Sequence, residues 1–272
     1  MTAGVLPAYD RIVCGDHLSV MSAWPDGMID LTVTSPPYDE LRDYNGYDFR
    51  YEDLLAELYR ITKEGGQCVW IVADSMKYGN ESLTSFRHAL TAQHIGWHVT
   101  VMIFEKTRRT QGTPAGQYFR NFEYMFRMCK GPKPNAYHPI QDVQNSQGLF
   151  HNVFRYKDGA FSGSRKAKRM PNRPFGKRGS VWYYEIGINT TTEKYAFAHP
   201  AVFPEPLIAD LITSFSNKHD LVLDPMCGSG TTCKMSKVAD RRYLGIDVSQ
   251  EYVDIARRRT GFTKLDAPHV VD

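Results

Sequence analysis

The 272-residue sequence lacks the features that mark several classes of protein. It contains no run of about 18 apolar residues, so we expect no membrane-spanning helix. Its N-terminal residues show no basic stretch followed by an apolar one, so we expect no secretory signal and predict a cytoplasmic location. The five cysteines are odd in number and form no C-x-x-C pair, which argues against a disulfide framework and against a zinc site.

Several short motifs are also missing. The sequence contains no G-x-G-x-x-G dinucleotide fingerprint, no G-x-x-x-x-G-K-[ST] phosphate loop and no H-E-x-x-H metal site, so we predict no metal. The composition is otherwise ordinary, with 42% hydrophobic and 23% charged residues and a mean hydropathy of -0.43. These values exclude a disordered chain, a collagen and a coiled coil, and they predict a soluble globular protein with a real core.

Charge is unevenly distributed. Residues 131–180 hold ten basic and two acidic side chains, whereas the rest of the chain has a net charge of -5. The densest basic stretch is residues 162–180, and its glycines and prolines predict a loop. A basic loop on an acidic body suits a polyanion such as nucleic acid, and the alternative is a solubilising surface loop. The basic residues of that stretch are Arg165, Lys166, Lys168, Arg169, Arg173, Lys177 and Arg178. Neighbouring aromatic residues that favour a contact surface are Phe154, Tyr156, Phe161, Phe175, Trp182, Tyr183 and Tyr184.

Strand and helix patterns alternate along the chain, and no internal repeat interrupts them. The predicted strands are 11–14, 29–34, 69–73, 99–104, 122–128, 221–223 and 243–246. The predicted helices are 17–24, 51–63, 82–95, 205–214, 231–239 and 250–259. Gly65 and Gly66 are predicted to end the second helix. This alternation predicts an α/β fold with a mostly parallel sheet, which binds ligands beyond the carboxyl ends of its strands.

The first candidate site follows the strand at 221–223. Its sequence, D-P-M-C-G-S-G-T-T, is a glycine turn between a buried strand and a helix, so backbone can approach a ligand at Gly228 and Gly230. A second strand ends at Asp247, 23 residues beyond Asp224, where a carboxylate can accept hydrogen bonds from ribose hydroxyls. The pattern indicates a nucleoside cofactor, and the alternative is an ordinary strand-to-helix turn.

The second candidate site is the tetrad S-P-P-Y at 35–38. Pro36 and Pro37 restrict the backbone and have no N–H donors, so carbonyls there are free of the sheet. Ser35 offers a hydroxyl and Tyr38 offers a ring for stacking. A planar amine bonded to the Ser35 hydroxyl and the Pro36 carbonyl would aim its lone pair at an electrophile, which is catalysis by positioning. The alternative is a strand-ending turn with a core tyrosine.

Together the two sites resemble the DNA amino-methyltransferases that use S-adenosylmethionine. In that family a D-P-x-x-G-S-G-T-T loop binds the cofactor and a [DNS]-P-P-[YFW] tetrad holds the exocyclic amine. The order of tetrad, basic segment and cofactor loop resembles the β-class arrangement. Cys14-Gly15-Asp16 and the segments 199–207 and 245–256 are similar to further elements of the family. The resemblance covers residues 9–130 and 195–260.

The resemblance implies a seven-stranded Rossmann-like sheet in circularly permuted order. It implies a catalytic half at 1–130, a target-recognition region at 131–194 and a cofactor-binding half at 195–272. Asp16 would lie near the adenine, Asp224 near the methionine part and Asp247 at the ribose. The full set of implied cofactor residues is Asp16, Phe203, Asp224, Pro225, Cys227, Gly228, Gly230, Thr231 and Asp247. Implied partners are duplex DNA, a cognate restriction endonuclease and, as a homodimer, a second copy of the chain.

The tetrad also bears on the target base. In the family S-P-P-Y is associated mainly with N4 of cytosine and D-P-P-Y mainly with N6 of adenine, so we favour N4-cytosine and keep N6-adenine as the alternative. The base would be flipped into the pocket and methylated without a covalent enzyme intermediate. The sequence has no Pro-Cys dipeptide, which a C5-cytosine enzyme would need as nucleophile. More distant alternatives are an RNA or protein amide methyltransferase and an inactive DNA-binding protein.

Overall fold

The computed structural model describes residues 7–37, 49–107, 116, 118–145, 174–187, 190–199 and 201–261. The chain divides into two compact units. The larger comprises Met1–His138 and Ser180–Asp272, and the smaller comprises Pro139–Gly179. The smaller unit lies inside the predicted insertion 131–194, and both flanks of that insertion belong to the larger unit.

The described elements follow one another in the predicted alternation. The strands are β1 Arg11–Cys14, β2 Ile29–Thr34, β3 Thr62–Val72, β4 Met76–Lys77, β5 Asn80–Glu81, β6 Trp97–Lys106, β7 Phe122–Lys130, β8 Val143–Gln144, β9 Phe175–Gly176, β10 Val181–Tyr184, β11 Leu221–Asp224 and β12 Arg242–Asp247. The helices are α1 His17–Ser22, α2 Tyr51–Ile61, α3 Thr84–Ile95, α4 Glu205–Phe215, α5 Thr231–Val238 and α6 Gln250–Arg259. A short 3-10 helix spans Lys194–Ala198.

The central sheet has the order β1-β12-β11-β2-β3-β7-β6-β10. Only β7 runs antiparallel to its neighbours, β3 and β6, and the remaining described pairs of this sheet are parallel. The predicted α/β fold with a mostly parallel sheet is confirmed. The chain order is permuted, because β11 and β12 lie late in the sequence but sit between β1 and β2 in the sheet.

The sheet has eight strands, so the prediction of seven was wrong. The additional strand is β10, which pairs in parallel with β6 at the edge of the sheet. Three of its residues, Trp182, Tyr183 and Tyr184, belong to the predicted aromatic contact surface. Trp182 is buried, Tyr183 is exposed, and the Tyr184 hydroxyl donates to Asp210. A four-residue strand is too short for its alternation to stand out beside a loop-like segment.

Helix α2 shows how the sequence pattern becomes packing. Leu54, Leu55, Leu58 and Ile61 lie on one face of it and are fully buried in the main core, as the periodicity predicted. Gly65 and Gly66 do not end this helix, which stops at Ile61 before the pair is reached.

The glycine pair instead lies inside β3, where the register between β2 and β3 shifts. A Cβ on Gly66 would lie 2.9 Å from the carbonyl oxygen of Lys63 and 3.0 Å from that of Ile29, so the irregularity leaves no room for a side chain there. The prediction failed because a glycine pair after a helical pattern signals a helix end and a strand bulge equally well.

Four parallel strands, β1, β12, β11 and β2, deliver their carboxyl ends to one edge of the sheet. Both candidate sites begin at this edge, where open α/β sheets bind their ligands. Within the described part of the chain, no helix is long and apolar enough to cross a membrane.

In the described part of the smaller unit, β8 and β9 form a two-stranded antiparallel ribbon. The amide of Asn145 donates to the carbonyl of Pro174 at 3.0 Å, and the amide of Arg178 donates to the carbonyl of Ile140 at 2.8 Å. The Arg178 guanidinium forms an ion pair with Asp142. Hydrogen bonds and an ion pair thus join the described residues at the two ends of the unit.

Candidate functional site

Register places the predicted site residues at the same end of adjacent strands. Cys14 pairs with Asp247 across β1 and β12, and Asp224 pairs with Gly245 across β11 and β12. Leu223 pairs with Thr32, two residues before Thr34 at the end of β2. The structure therefore brings together segments that are about 200 residues apart in the chain.

Asp224 is the buried centre of this edge. The hydroxyl of Thr34 donates to its Oδ1 at 2.8 Å, and the amide of Met226 donates to the same oxygen at 3.2 Å. Burial raises the pKa of Asp224 to about 6, although hydrogen bonds from Thr232, Thr34 and Met226 oppose the shift. The negative charge of Asp247 adds to the rise. A buried carboxylate with an unfavourable environment is stabilised by a cation placed beside it.

Asp247 connects three loops. Its Oδ2 accepts from the amide of Gly228 at 2.8 Å and its Oδ1 from the amide of Ser249 at 2.9 Å. Its backbone carbonyl accepts from the amide of Gly15 at 2.9 Å. The side chain thus fixes the glycine turn after β11, and its main chain fixes the start of the turn after β1.

The two glycines of the turn have positive φ, +48° at Gly228 and +78° at Gly230. A Cβ on Gly228 would lie 2.7 Å from Nε2 of His199, and a Cβ on Gly230 would lie 2.5 Å from Cβ of Ala256. Both glycines therefore let the turn pack closely against neighbouring segments of the protein. Their proximity to a ligand stays a prediction.

Cys227 and Pro225 are buried within this turn. A hydrogen bond with Cys233 and burial raise the pKa of the Cys227 thiol well above its ordinary value, so the thiol stays protonated at neutral pH. A protonated, buried thiol is a poor nucleophile, and Cys227 acts here as a packing residue.

A partly buried ionic cluster contacts the turn, and sequence reasoning missed it. The side chain of Arg259, at the end of α6, is fully buried and pairs with Glu205 at 2.7 Å and Glu193 at 3.2 Å. Lys234 of α5 pairs with the same two acids. Burial alone would raise the pKa of Glu193, but hydrogen bonds from Lys234, Thr192 and Arg259 lower it to about 2.

One sequence signal could have revealed the cluster. Arg259 follows the buried residues Val253 and Ala256 at intervals of three, which places it on the inner face of α6. Thr231, predicted to bind cofactor, belongs to the same cluster, because its hydroxyl accepts from Nη1 of Arg259 at 2.9 Å.

Asp16 caps helix α1 at its N-terminus. Its Oδ1 accepts from the amide of Ser19 at 2.9 Å and from the hydroxyl of Ser19 at 2.8 Å. Burial lowers the pKa of the adjacent His17, although the charges of Asp16 and Asp247 oppose the shift. The position of Asp16 near an adenine stays a prediction.

The tetrad begins directly after β2. Pro36 is buried, whereas Ser35 and Pro37 are partly exposed, and Tyr38 lies outside the described residues. Phe203, predicted to bind cofactor, is half-buried two residues before α4. Thr34, the last residue of β2, joins the tetrad to Asp224 through the hydrogen bond given above.

Only part of the predicted DNA-binding segment can be placed. Lys177 and Arg178 lie in the smaller unit, and the Arg178 side chain engages Asp142, which lowers the pKa of that carboxyl. The other members of the set fall outside the described residues: Arg165, Lys166, Lys168, Arg169 and Arg173.

The sequence that contains the two carboxylates, the glycine turn and the S-P-P turn matches a known family. The family model described as DNA methylase, of the N6/N4 methyltransferases, matches residues 29–258. This chain belongs to that family. Among curated relatives, the orphan methyltransferase M.BamHII of Bacillus amyloliquefaciens is 44% identical over 238 residues, which cover 86% of this chain and 89% of the relative. The type II methyltransferase M.BglII of Bacillus subtilis is 28% identical, covering 91% and 68%.

Solved structures show the same fold. The cytosine-N4-specific PvuII DNA methyltransferase has a TM-score of 0.63 at 17% identity, covering 94% of this chain and 87% of its own. TTHA0409, a putative DNA modification methylase of Thermus thermophilus solved with S-adenosyl-L-methionine, has a TM-score of 0.59 at 23% identity, covering 92% and 94%. At these identities the likeness concerns the fold alone. The family assignment from sequence is confirmed, and the chain is a DNA amino-methyltransferase of the N4-cytosine or N6-adenine type.

Proposed function

We propose that this DNA methylase transfers a methyl group from S-adenosylmethionine to N4 of cytosine in duplex DNA. The observation that carries the proposal is the 2.8 Å hydrogen bond between Thr34 and Asp224. It joins the strand end that precedes Ser35 to the buried carboxyl group of the glycine turn. Two groups with different chemical tasks, an amine acceptor and a cation-binding carboxyl, therefore lie on neighbouring strands.

The residues at this edge fit the cofactor. When bound, S-adenosylmethionine supplies an activated methyl group on a positively charged sulfur. Asp224 offers a buried carboxyl group that gains from a nearby positive charge, since burial disfavours its ionised form. Asp247 holds the turn by its side chain and stands where ribose hydroxyls would be accepted. The proposed cofactor set is completed by Asp16, Phe203, Pro225, Cys227, Gly228, Gly230 and Thr231.

The tetrad would act by positioning the base. The Ser35 hydroxyl and the Pro36 carbonyl accept hydrogen bonds from the two N–H groups of the amine, which leaves the nitrogen lone pair directed at the methyl group. Pro37 restricts the turn, and Tyr38 stacks on the base once it has been flipped out of the duplex. The buried thiol of Cys227 takes no part as a nucleophile, because it stays protonated.

Cytosine is favoured by the neutral serine at position 35, since the family associates S-P-P-Y mainly with cytosine N4. The PvuII enzyme, named as cytosine-N4-specific, has the same fold, so this fold is compatible with a cytosine target. The insertion 131–194, with its excess of basic residues, is proposed as the target-recognition region that contacts DNA phosphates. A cognate restriction endonuclease and a second copy of the chain are the proposed protein partners.

Nucleoside mass spectrometry tests the proposal. Purified protein is incubated with unmethylated duplex DNA and S-adenosylmethionine, and the DNA is digested to nucleosides. N4-methylcytosine is expected, and Asp224→Ala protein serves as the inactive control. N6-methyladenine would overturn the choice of base but keep the reaction class. Methylation of structured RNA and not of DNA would overturn the substrate class.

A further inference from the structure

We propose that Arg259 is a positioning residue for cofactor binding, a role that rests on the proposed function. Nη1 of its fully buried side chain donates to the carbonyl of Ser229 at 2.8 Å, to the hydroxyl of Ser229 at 3.1 Å and to that of Thr231 at 2.9 Å. Ser229 lies in the glycine turn and Thr231 is the first residue of α5. One side chain thus holds the turn and the helix that follows it.

The bond to the Ser229 carbonyl sets the orientation of a peptide group. Because the peptide between Ser229 and Gly230 is planar and trans, its N–H points away from Arg259. That N–H donates to the carbonyl of Cys227 at 2.7 Å and closes the turn. The closed turn in turn presents the amide of Gly228 to Asp247 at 2.8 Å. Arg259 therefore acts on the proposed cofactor site through the backbone.

The other nitrogens of Arg259 bind side chains in a separate segment, residues 191–205. Nη2 donates to Thr191 at 2.9 Å and to Glu205 at 2.7 Å, and Nε donates to Glu193 at 3.2 Å. Every nitrogen of the guanidinium is engaged, and its planar fork is what allows one group to reach all these partners. A lysine has its donors on a single nitrogen and cannot span the same set.

Lys234 completes the charge balance of the cluster. Its ammonium group lies 2.6 Å from Glu193 and 2.8 Å from Glu205, so two cations face two anions. Balanced pairing is what makes burial of these charges tolerable. The pairing also allows a variant in which no charge is left without a partner. If Arg259 and the charge of Glu205 are removed together, Lys234 still pairs with Glu193.

The test compares Arg259→Lys and the double variant Arg259→Met/Glu205→Gln with wild type. The matched control is Arg258→Lys, an exposed neighbour whose guanidinium lies 4.0 Å from the ring centroid of Tyr195. Affinity for S-adenosylmethionine is measured by calorimetry, together with KM for cofactor, KM for DNA, kcat and the melting temperature. Both test variants are expected to raise the cofactor Kd and KM by about tenfold or more, with little change in KM for DNA or in kcat at saturating cofactor.

A purely structural role gives a different pattern. It would lower the melting temperature and the active fraction, but leave the KM for cofactor of the folded protein unchanged. Folded variants that bind cofactor as wild type does would therefore overturn the proposal. The double variant decides the matter if the single change prevents folding, because its remaining buried charges are paired. Failure of wild-type protein to bind S-adenosylmethionine would instead overturn the proposed function, and that measurement is made first.

Discussion

The turn after β11 and the turn after β2 leave the same edge of the sheet from neighbouring strands, yet they are held by different means. The first is fixed from several sides, by Asp247 at Gly228 and by Arg259 at Ser229 and Thr231. The second is restricted by the covalent rings of Pro36 and Pro37. Its preceding residue, Thr34, is tied to Asp224.

This difference reflects what each turn has to present. A cofactor site uses backbone amides and buried carboxylates, and their directions depend on contacts from other segments. A site that accepts an amine needs an oxygen at a defined angle, which a rigid local backbone can supply by itself. A side-chain hydrogen bond between Thr34 and Asp224 links the two turns.

The largest effect is expected at the turn after β11, which forms the proposed cofactor site. Asp224→Ala removes the buried carboxyl group, and we expect cofactor binding to fall below detection and turnover with it. Calorimetry with S-adenosylmethionine measures the loss, and Asp254→Ala on the exposed face of α6 is the control. Wild-type affinity in folded Asp224→Ala protein would remove this residue from the cofactor site.

At the turn after β2, which would hold the target base, Ser35→Ala is expected to affect turnover and not cofactor binding. Removing one acceptor of the amine should lower turnover by about a hundredfold, because the nucleophile loses its alignment. Cofactor affinity should stay at the wild-type level. Steady-state kinetics and calorimetry on the same preparation measure both, with Ser22→Ala, exposed at the end of α1, as the control. Full activity in Ser35→Ala would refute the tetrad assignment.

A pH dependence is expected at the turn after β11, because Asp224, whose pKa is raised, lies there. The folded pKa of Asp224, about 6, lies above its ordinary value of 3.8, so the folded protein binds the extra proton between these values. Its contribution to the stability of the cofactor-free protein therefore falls as pH rises from about 4 to about 6. Affinity for a cationic cofactor should rise over the same range and level off above it.

Asp224→Asn provides the reference for that measurement, since it keeps the shape but cannot ionise. The difference between wild type and variant in melting temperature and in cofactor Kd is followed from about pH 3 to about pH 8, a range that brackets both pKa values. An equal pH dependence in both proteins would show that another group is responsible.

The smallest effect is expected from loss of the hydrogen bond between Thr34 and Asp224, which links the two turns. Thr34→Val removes the hydroxyl that donates to Asp224 and keeps the shape of the side chain. A typical intramolecular hydrogen bond contributes about 0.5–1.5 kcal/mol net, so cofactor affinity should fall by about two- to tenfold. Thr34→Ser keeps the hydroxyl and is expected to stay near wild type. Equal behaviour of the two variants would show that the link does not couple the turns.

Local patterns carried much of the prediction. The alternation of strands and helices, the buried face of α2 and the order of the motifs all depend on residues close together in the chain. The errors arose where one local pattern has two structural meanings. Gly65 and Gly66 indicated a helix end but occupy a bulge in β3, and residues 181–184, three of them aromatic, form an edge strand that was not predicted.

The sequence by itself determined the family, the fold class and the residue types of both turns, because motif spacing and periodicity are properties of short stretches of chain. Only the tertiary structure decided which side chains hold those turns in place. Thr34 and Asp224 are 190 residues apart in the sequence, and Arg259 and Thr191 are 68 residues apart. Which residues become partners has no local signature, since such pairs form only when parallel strands and their helices bring distant segments to one edge of the sheet.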